Sequence, residues 1–148
     1  MIAVIERVSS AHVTVDGKGI GRIGQGLLVL LGVQDGDGQS DLEYIVNKTA
    51  GLRIFSENGR MTRSVADIGG SILVVSQFTL LGDVRRGKRP DFTAAAGAGE
   101  AEAMYEQFVS ALDKMGIDTQ TGQFGADMQV MRVGDGPVTI LLDSKKRF

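Results

Sequence analysis

Two short segments of the sequence carry residue types that could bind a ligand through hydrogen bonds. The first is SQFTL, in which Ser76, Gln77 and Thr79 follow a purely apolar run. A strand end is a rigid support from which to present backbone N–H groups and a hydroxyl. The same pattern also fits a strand that simply runs into a turn, and the residues alone leave both interpretations open.

The second segment is GDGPVT, from Gly134 to Thr139, between two predicted strands. Pro137 cannot donate to a strand ladder and belongs at a strand start, while Gly136 has no side chain to obstruct a ligand. About 5% of X-Pro bonds are cis in folded proteins, so the residues alone predict a trans bond here. A plain strand-initiating turn is the alternative interpretation.

The residue types that are missing restrict the chemistry further. The sequence has no cysteine and one histidine, His12. Disulfides, thiolate catalysis and sulfur-ligated metals are thereby excluded, and a zinc site or a Ser-His-Asp triad has too few parts. His12 lies on the polar face of a predicted strand, which favours a structural or solvated role. We therefore expect neither a metal nor a cofactor, and a hydrolase built on this chain must work without a histidine base.

A glycine-rich segment, GIGRIG from Gly19 to Gly24, has the spacing of a dinucleotide-binding loop. That mechanism needs a helix N-terminus directly afterwards, and a strand is predicted there instead. We interpret these glycines as a turn.

The charge balance argues against general coating of nucleic acid, because sixteen basic and eighteen acidic residues give a net charge of −2. Two local basic clusters remain as candidate phosphate-binding patches. They consist of Arg85, Arg86, Lys88 and Arg89, and of Lys145, Lys146 and Arg147. A solvated loop and a frayed tail are the competing interpretation.

Hydrophobic periodicity predicts the elements that hold these segments. Alternation over Ala11–Val15 and the run GLLVLLGV predict a hairpin, and SILVVSQFTL predicts a central strand. Helices are predicted from about Ser40 to Leu52, with Ser40 and Glu43 as a capping box, and from about Gly99 to Met115. Helices without regular strand-helix-strand repetition indicate an α+β fold with one helical layer.

Length and apolar content indicate one domain over residues 1–148. The longest apolar stretch, Leu27–Val33, is too short to span a bilayer, and no signal-peptide core follows Met1. We therefore expect a cytoplasmic protein.

The ordered motifs SQFTL, RRGKRPDF, TGQFGADM and GPVT, together with AVIERV, GLLVLLGV and LRIF, resemble the D-aminoacyl-tRNA deacylase family. Each motif alone is weak, but the ordered set is specific and covers essentially the whole chain. The resemblance implies an α+β homodimer, with a β-barrel-like sheet, two main helices on one side, and active sites at the subunit interface.

The resemblance also implies site residues. Gly136 and Pro137 of one subunit, joined by a cis bond, would enter the partner's site and exclude L-amino acids with main-chain atoms. The other substrate-binding positions would be Ser76, Arg7, Phe124 and Met128. Gln77, Phe78 and Thr79 would be catalytic. The family usually has an asparagine before Asp-Gly-Pro, where this chain has Gly134, so any hydrogen bond from that asparagine is missing.

The implied reaction is hydrolysis of the ester of D-aminoacyl-tRNA, with the backbone amides near Phe78 and Thr79 holding the oxyanion. Thr79, Gln77 or the 2′-hydroxyl of the terminal adenosine would activate water, and we favour the 2′-hydroxyl. Cleavage of glycyl-tRNA is also expected, since glycine has no side chain to exclude. The partner is aminoacyl-tRNA, with neither DNA nor a membrane involved. The alternatives are a related deacylase with a trans Gly-Pro bond, acting on small L-amino acids, and a non-catalytic tRNA-binding dimer module.

Overall fold

Strand β1 runs through the centre of the sheet in the computed structural model, which describes all 148 residues. The strands are β1 Ile2–Val15, β2 Lys18–Ile23, β3 Gly26–Gly32, β4 Phe55–Glu57, β5 Arg60–Arg63, β6 Ser71–Ser76, β7 Asp118–Thr121 and β8 Gln129–Asp143. The helices are α1 Gln39–Gly51 and α2 Ala98–Lys114, and a 3-10 helix spans Phe78–Leu81.

The main sheet has six strands and curves toward closure. One edge of β1 pairs with β8 over nearly its full length, and the other edge pairs first with β3 and then with β2, all antiparallel. Strands β3, β6 and β7 continue the sheet in parallel. Gly21 of β2 packs so closely on β7 that a Cβ there would overlap the carbonyl oxygen of Thr121. The two ends of the strand order therefore meet, and the sheet forms a nearly closed barrel.

Side chains that alternate along the strands fill two separate cores. On the outer face, Ile5 and Val29 pack with Ile45 of α1 and with Phe108 and Leu112 of α2. Inside the barrel lies a smaller cluster formed by Val8, Ala11, Val13, Ile23, Leu28, Leu73 and Val75. Since both helices cover the same face, the α+β prediction with two helices on one side of a barrel-like sheet is confirmed.

Both predicted helices are present, with ends within about a residue of the prediction. The capping box at Ser40 and Glu43 is wrong. Helix α1 is capped by Gly38, whose N–H donates to the Asp41 carboxylate at 3.0 Å. The helix therefore begins at Gln39, one residue before the predicted start. At the other end of the helical layer, Gly116 has a φ of +79° and ends α2 in the left-handed conformation that glycine adopts most easily.

Two strand predictions are corrected. Gly19 and Gly21 do not form a turn but belong to β2, and the turn is the two residues Asp16 and Gly17, both with positive φ. The segments predicted as two strands around GDGPVT form one strand, β8, with a break in its register to β1. Neither helix is long and apolar enough to cross a membrane.

Candidate active site

A pocket of about 560 Å³ opens where β6 ends, between that strand end, the start of α2 and the segment before β8. It brings together Ser76, Gln77, Phe78, Thr79, Phe124 and Met128, all predicted as site residues. The remaining lining residues, mostly small or apolar, are Leu31, Val33, Val75, Ala95, Ala96, Ala98, Ala101, Tyr105, Gly125, Ala126, Asp127 and Val130. These were not predicted, because apolar residues give no local signal that separates a pocket wall from a core.

The backbone of the SQFTL segment changes conformation inside the motif. Strand β6 ends at Ser76, and the N–H of Gln77 still donates to the Leu31 carbonyl at 2.8 Å. The chain then turns into the 3-10 helix, whose first bond runs from the Leu80 N–H to the Gln77 carbonyl at 3.2 Å. The amides of Phe78 and Thr79 precede this first bond, so the turn supplies them with no carbonyl partner.

The polar side chains of the motif interact with each other. The side-chain amide of Gln77 donates to the Thr79 hydroxyl, and no acidic or basic side chain joins this pair. Phe78 is 57% exposed and packs edge-on against Phe92, with 5.1 Å between ring centroids. The hydroxyl of Thr79 therefore lacks the partner base that a covalent nucleophile needs.

Tyr105 of α2 forms part of the pocket wall but is locked in place. Its hydroxyl donates to the Val74 carbonyl at 2.8 Å, and burial raises the pKa of Tyr105 to about 12. A phenol with so high a pKa stays protonated near neutral pH and does not act as a base. The ring also packs against Phe124, at 5.9 Å between centroids, and holds that part of the wall.

The Gly136–Pro137 segment lies outside this pocket and is exposed to solvent. The bond between the two residues is cis, as the family resemblance implied and contrary to the prediction from residue frequencies alone. Glu6 pairs with Thr139 and Val8 with Gly134, so four residues of β8 stand opposite Arg7 alone. The intervening backbone is thereby pushed out of the sheet as a loop.

Arg7 holds the base of this loop. Its Nε donates to the Asp135 carbonyl at 2.9 Å, and the Asp135 carboxylate lies 3.2 Å from the same atom. Its Nη1 donates to the Ile54 carbonyl at 2.5 Å, and the residue is only 9% exposed. A Cβ on Gly136 would lie 2.9 Å from the guanidinium, so glycine allows this close contact. Arg7 was predicted near the pocket, but within one chain it contacts the loop instead.

The basic cluster of Arg85, Arg86, Lys88 and Arg89 lies close to the pocket in the chain, because Phe92, which follows it, packs against Phe78 in the pocket wall. Arg85 forms a two-point contact with Asp83, with 2.6 Å between Nη2 and Oδ2, and this hydrogen bonding lowers the pKa of Asp83 to about 2. Arg86, Lys88 and Arg89 form no ion pair within the chain. They remain available to an anionic ligand.

The C-terminal basic cluster is largely paired within the chain. Lys145 lies 2.8 Å from the Asp41 carboxylate, and Arg147 pairs with Asp143 at 2.5 Å. The Lys146 ammonium stands over the Tyr44 ring at 5.5 Å. These contacts tie the C-terminal residues to the fold, so neither a frayed tail nor a free phosphate patch describes them.

No group of three or more His, Cys, Asp or Glu side chains is arranged to hold a metal ion. The ionisable groups around the pocket are Tyr105 and Asp127. The site therefore combines a shaped apolar cavity, a hydrogen-bonded amide–hydroxyl pair, and the backbone amides of Phe78 and Thr79, which the 3-10 turn leaves without a carbonyl partner.

Comparison with known proteins supports the family resemblance over nearly the whole chain. Residues 4–143 match the family model described as D-Tyr-tRNA(Tyr) deacylase. Proteins named D-aminoacyl-tRNA deacylase from Koribacter versatilis and from Desulfitobacterium hafniense DCB-2 are 56% and 53% identical, and each alignment covers 100% of both chains.

Solved structures share the fold. One titled "c-Myc DNA Unwinding Element Binding Protein" has a TM-score of 0.91 at 44% identity and covers 97% of this chain and 98% of its own. Another, of a probable eukaryotic D-amino acid tRNA deacylase, has a TM-score of 0.81 at 19% identity, covers 95% and 97% of the two chains, and shows similarity of fold alone. Taken with the family model and the curated relatives, these matches show that the chain belongs to the D-Tyr-tRNA(Tyr) deacylase family.

Proposed function

We propose that this protein hydrolyses the ester bond of D-aminoacyl-tRNA and releases the free D-amino acid and the tRNA. The observation that carries this proposal is the pocket at the end of β6, where the amides of Phe78 and Thr79 precede the first hydrogen bond of the 3-10 helix. Ester hydrolysis passes through a tetrahedral oxyanion, and one well-placed N–H donor stabilises such a transition state by about 3 kcal/mol. These two amides are the proposed donors.

Water is the proposed nucleophile, because the pocket contains no histidine and no acidic or basic side chain is hydrogen-bonded to the Thr79 hydroxyl. The only side-chain partner of the Thr79 hydroxyl is the Gln77 amide nitrogen, which donates to it and is not a base. The 2′-hydroxyl of the terminal adenosine is adjacent to the ester in any aminoacyl-tRNA. We therefore assign activation of water to the substrate's own hydroxyl, with Gln77 and Thr79 as orienting groups.

Discrimination between D- and L-amino acids is assigned to Gly136 and Pro137 of a second copy of the chain. In one chain this loop is exposed and does not line the pocket. Strand β8 pairs only with β1, so its outer edge is open, and it carries exposed Met131, Val133 and Leu141. An open edge with apolar side chains is a surface that a second chain can cover.

A homodimer formed at β8 would bring the loop of each subunit to the partner's pocket. Main-chain atoms placed beside the α-carbon exclude an L side chain by contact while they accept different D side chains. Phe124 and Met128 complete the apolar wall, and Ser76 lies at the strand end. Since glycine has no side chain to exclude, glycyl-tRNA is a further expected substrate.

The acceptor end of the tRNA approaches the pocket past the loop of residues 85–89. Arg86, Lys88 and Arg89 are exposed and unpaired there, and Phe92 connects this loop to Phe78 in the pocket. We assign phosphate contacts to these side chains, with a smaller contribution from Arg85, which is already paired with Asp83. The activity is placed in one domain spanning residues 1–148, acting in the cytoplasm, where aminoacyl-tRNA is used.

Two other functions are less well supported. A deacylase for small L-amino acids is not favoured, because the matching family model and the curated relatives are named for D-aminoacyl esters. A non-catalytic tRNA-binding dimer module has no need of the Phe78 and Thr79 amides at the pocket, and the match to the deacylase model extends over residues 4–143. Hydrolysis of the D ester is therefore the function that the geometry supports best.

The direct test uses the purified protein with D-tyrosyl-tRNA and L-tyrosyl-tRNA in separate reactions, against a reaction without enzyme. Release of tyrosine from the D ester alone is the expected result. Release from neither ester would support the non-catalytic module, and equal release from both would contradict the role assigned to Gly136 and Pro137.

A further inference from the structure

Strands β4 and β5 form a small separate sheet, and we call the segment Arg53–Arg63 the arginine hairpin. Its strands pair with each other and with no strand of the main sheet. The tight turn at Asn58 and Gly59 has positive φ at both residues, which is typical of an Asn-Gly hairpin turn. The segment contains three arginines and one glutamate, so it is a local positive surface on a protein whose net charge is −2.

Two of the three arginines are free to bind an anion. Arg63 pairs with Glu57 across the hairpin at 2.7 Å and also donates to the Asp67 carbonyl. Arg53 and Arg60 are exposed and form no ion pair, although Arg53 lies near enough to Asp67 to help lower the pKa of that carboxyl. Unpaired arginines at a projecting hairpin fit phosphate groups, which guanidinium binds through two parallel hydrogen bonds.

The base of the hairpin is fixed to the Gly136–Pro137 loop by a single side chain. Arg7 donates to the Ile54 carbonyl at the hairpin's base and to the Asp135 carbonyl at the loop's base. Ile54 and Phe55 are 6% and 3% exposed, so the hairpin is anchored in the core and cannot move independently at this end. Wherever the loop binds, the base of the hairpin lies beside it.

We propose that the arginine hairpin binds phosphates of the tRNA whose aminoacyl end occupies the partner subunit's pocket. The proposal rests on the proposed function, in which the Gly136–Pro137 loop reaches that pocket. The hairpin has strands of three and four residues and extends about 10 Å, so Arg60 at its tip lies away from the aminoacyl group and toward the acceptor strand. Each tRNA is thereby held by both subunits, with the residue 85–89 loop in one and the hairpin in the other.

The first test separates phosphate binding from ester chemistry. The double variant Arg53→Gln with Arg60→Gln is compared with Lys18→Gln with Lys114→Gln, which removes two exposed charges elsewhere. For D-tyrosyl-tRNA we expect kcat/KM to fall on the order of tenfold, and its log–log dependence on salt to become shallower by about 1.5, as for two lost phosphate contacts. For D-tyrosyl-adenosine, which lacks those phosphates, the rate should not change.

The outcomes distinguish failure of the hairpin proposal from failure of the proposed deacylase function. If the parent protein cleaves neither the D-tyrosyl-tRNA nor the D-tyrosyl-adenosine ester, the proposed function fails. If the parent cleaves both and the arginine variant matches the lysine control on tRNA, the hairpin proposal alone is overturned.

The second test asks which subunit's hairpin is used. Heterodimers are prepared with two affinity tags, and Ala98→Trp at the exposed pocket rim obstructs one pocket. With both arginine substitutions in the obstructed subunit, the open pocket faces an altered hairpin, and kcat/KM should fall as in the full variant. With the substitutions in the other subunit, kcat/KM should match that of the obstructed heterodimer with both hairpins intact. The reverse pattern, or a monomeric protein, would overturn binding across the interface.

Discussion

Gln77 and Thr79 illustrate how little conventional catalytic machinery this pocket has. Their side chains hydrogen-bond to each other, and burial raises the pKa of Tyr105 in the pocket wall to about 12, so this phenol stays neutral. The main chemical contribution of the protein is then the position of two backbone amides, which no side-chain substitution removes. Loss of an orienting hydroxyl should cost much less than loss of a nucleophile.

Replacing Thr79 by valine, which removes the hydroxyl and keeps the shape, should lower kcat/KM for D-tyrosyl-tRNA by no more than about tenfold. The expected size is that of one neutral hydrogen bond, about 1 kcal/mol. Single-turnover release of tyrosine measures the effect. A decrease greater than a thousandfold would show that Thr79 acts directly in bond cleavage, and the role given to the tRNA hydroxyl would then be wrong.

The sequence identified the polar residues of the site better than it identified their arrangement. Ser76, Gln77 and Thr79 were recognisable because hydrogen-bonding groups interrupt an apolar run, whereas Phe78 was named only through the family resemblance. The spacing of Tyr105 along α2 indicates only the core face of a helix, and its place in the pocket wall depends on packing against Phe124. Contacts between distant segments of this kind leave no periodic signal in either segment.

At the scale of elements, local patterns predicted both helices, and tertiary contacts decided the strands. Gly19 and Gly21 have the composition of a turn, yet they form β2. The reason is visible at Gly21, where the backbone of β7 comes so close that no side chain fits. Glycine is required there by close approach rather than by a turn angle, and residue type alone does not distinguish the two causes.

The closure of the barrel at Gly21 can be tested by adding a single methyl group. Gly21→Ala should destabilise the protein by about 2 kcal/mol, because the new Cβ meets a backbone oxygen that cannot move without displacing β7. Gly24→Ala is the matched control, since a Cβ there has no neighbour within 4 Å. Urea unfolding measures both, and equal midpoints for the two variants would mean that β2 and β7 do not pack as described.

For the whole molecule, the open edge of β8 predicts that assembly and activity are lost together. Val133→Lys combined with Leu141→Lys places two charges on side chains that are each 58% exposed in the single chain. The expected result by analytical ultracentrifugation is a change from dimer to monomer, with loss of D-tyrosyl-tRNA cleavage. Ile20→Lys, at an exposed apolar residue of β2, should change neither property. A monomeric variant with full activity would rule out a shared site.

The stability of the molecule at low pH depends on an ion pair near the end of β8. Hydrogen bonding from Arg147 lowers the pKa of Asp143 to about 2, and the Asp143 side chain is fully buried. Because the pKa is depressed in the folded state, the stabilisation is present above the unfolded-state pKa of about 4. It is lost as the pH falls from about 4 to about 2.

Asp143→Asn should therefore reduce the free energy of unfolding at pH 7 by about 1 to 2 kcal/mol, allowing for the half-exposed position of Arg147. The gap between parent and variant should close as the pH approaches 2. Urea titrations at a series of pH values measure it. A gap that stays constant down to pH 2 would show that the stabilisation does not come from the ionised carboxylate.

The pairing of β1 with β8 also sets the order in which the molecule can be assembled. Glu6 and Thr139 are direct neighbours in the sheet although almost the entire sequence separates them. During synthesis β1 emerges first. The edge of β1 that pairs with β8 stays unpaired until β8 has left the ribosome, whereas the other edge can pair earlier with β2 and β3. Pairings over such long separations close slowly, on the millisecond-to-second scale. Arg7 acquires Asp135 only at that step, so the loop assigned to chiral selection is among the last parts of the protein to form.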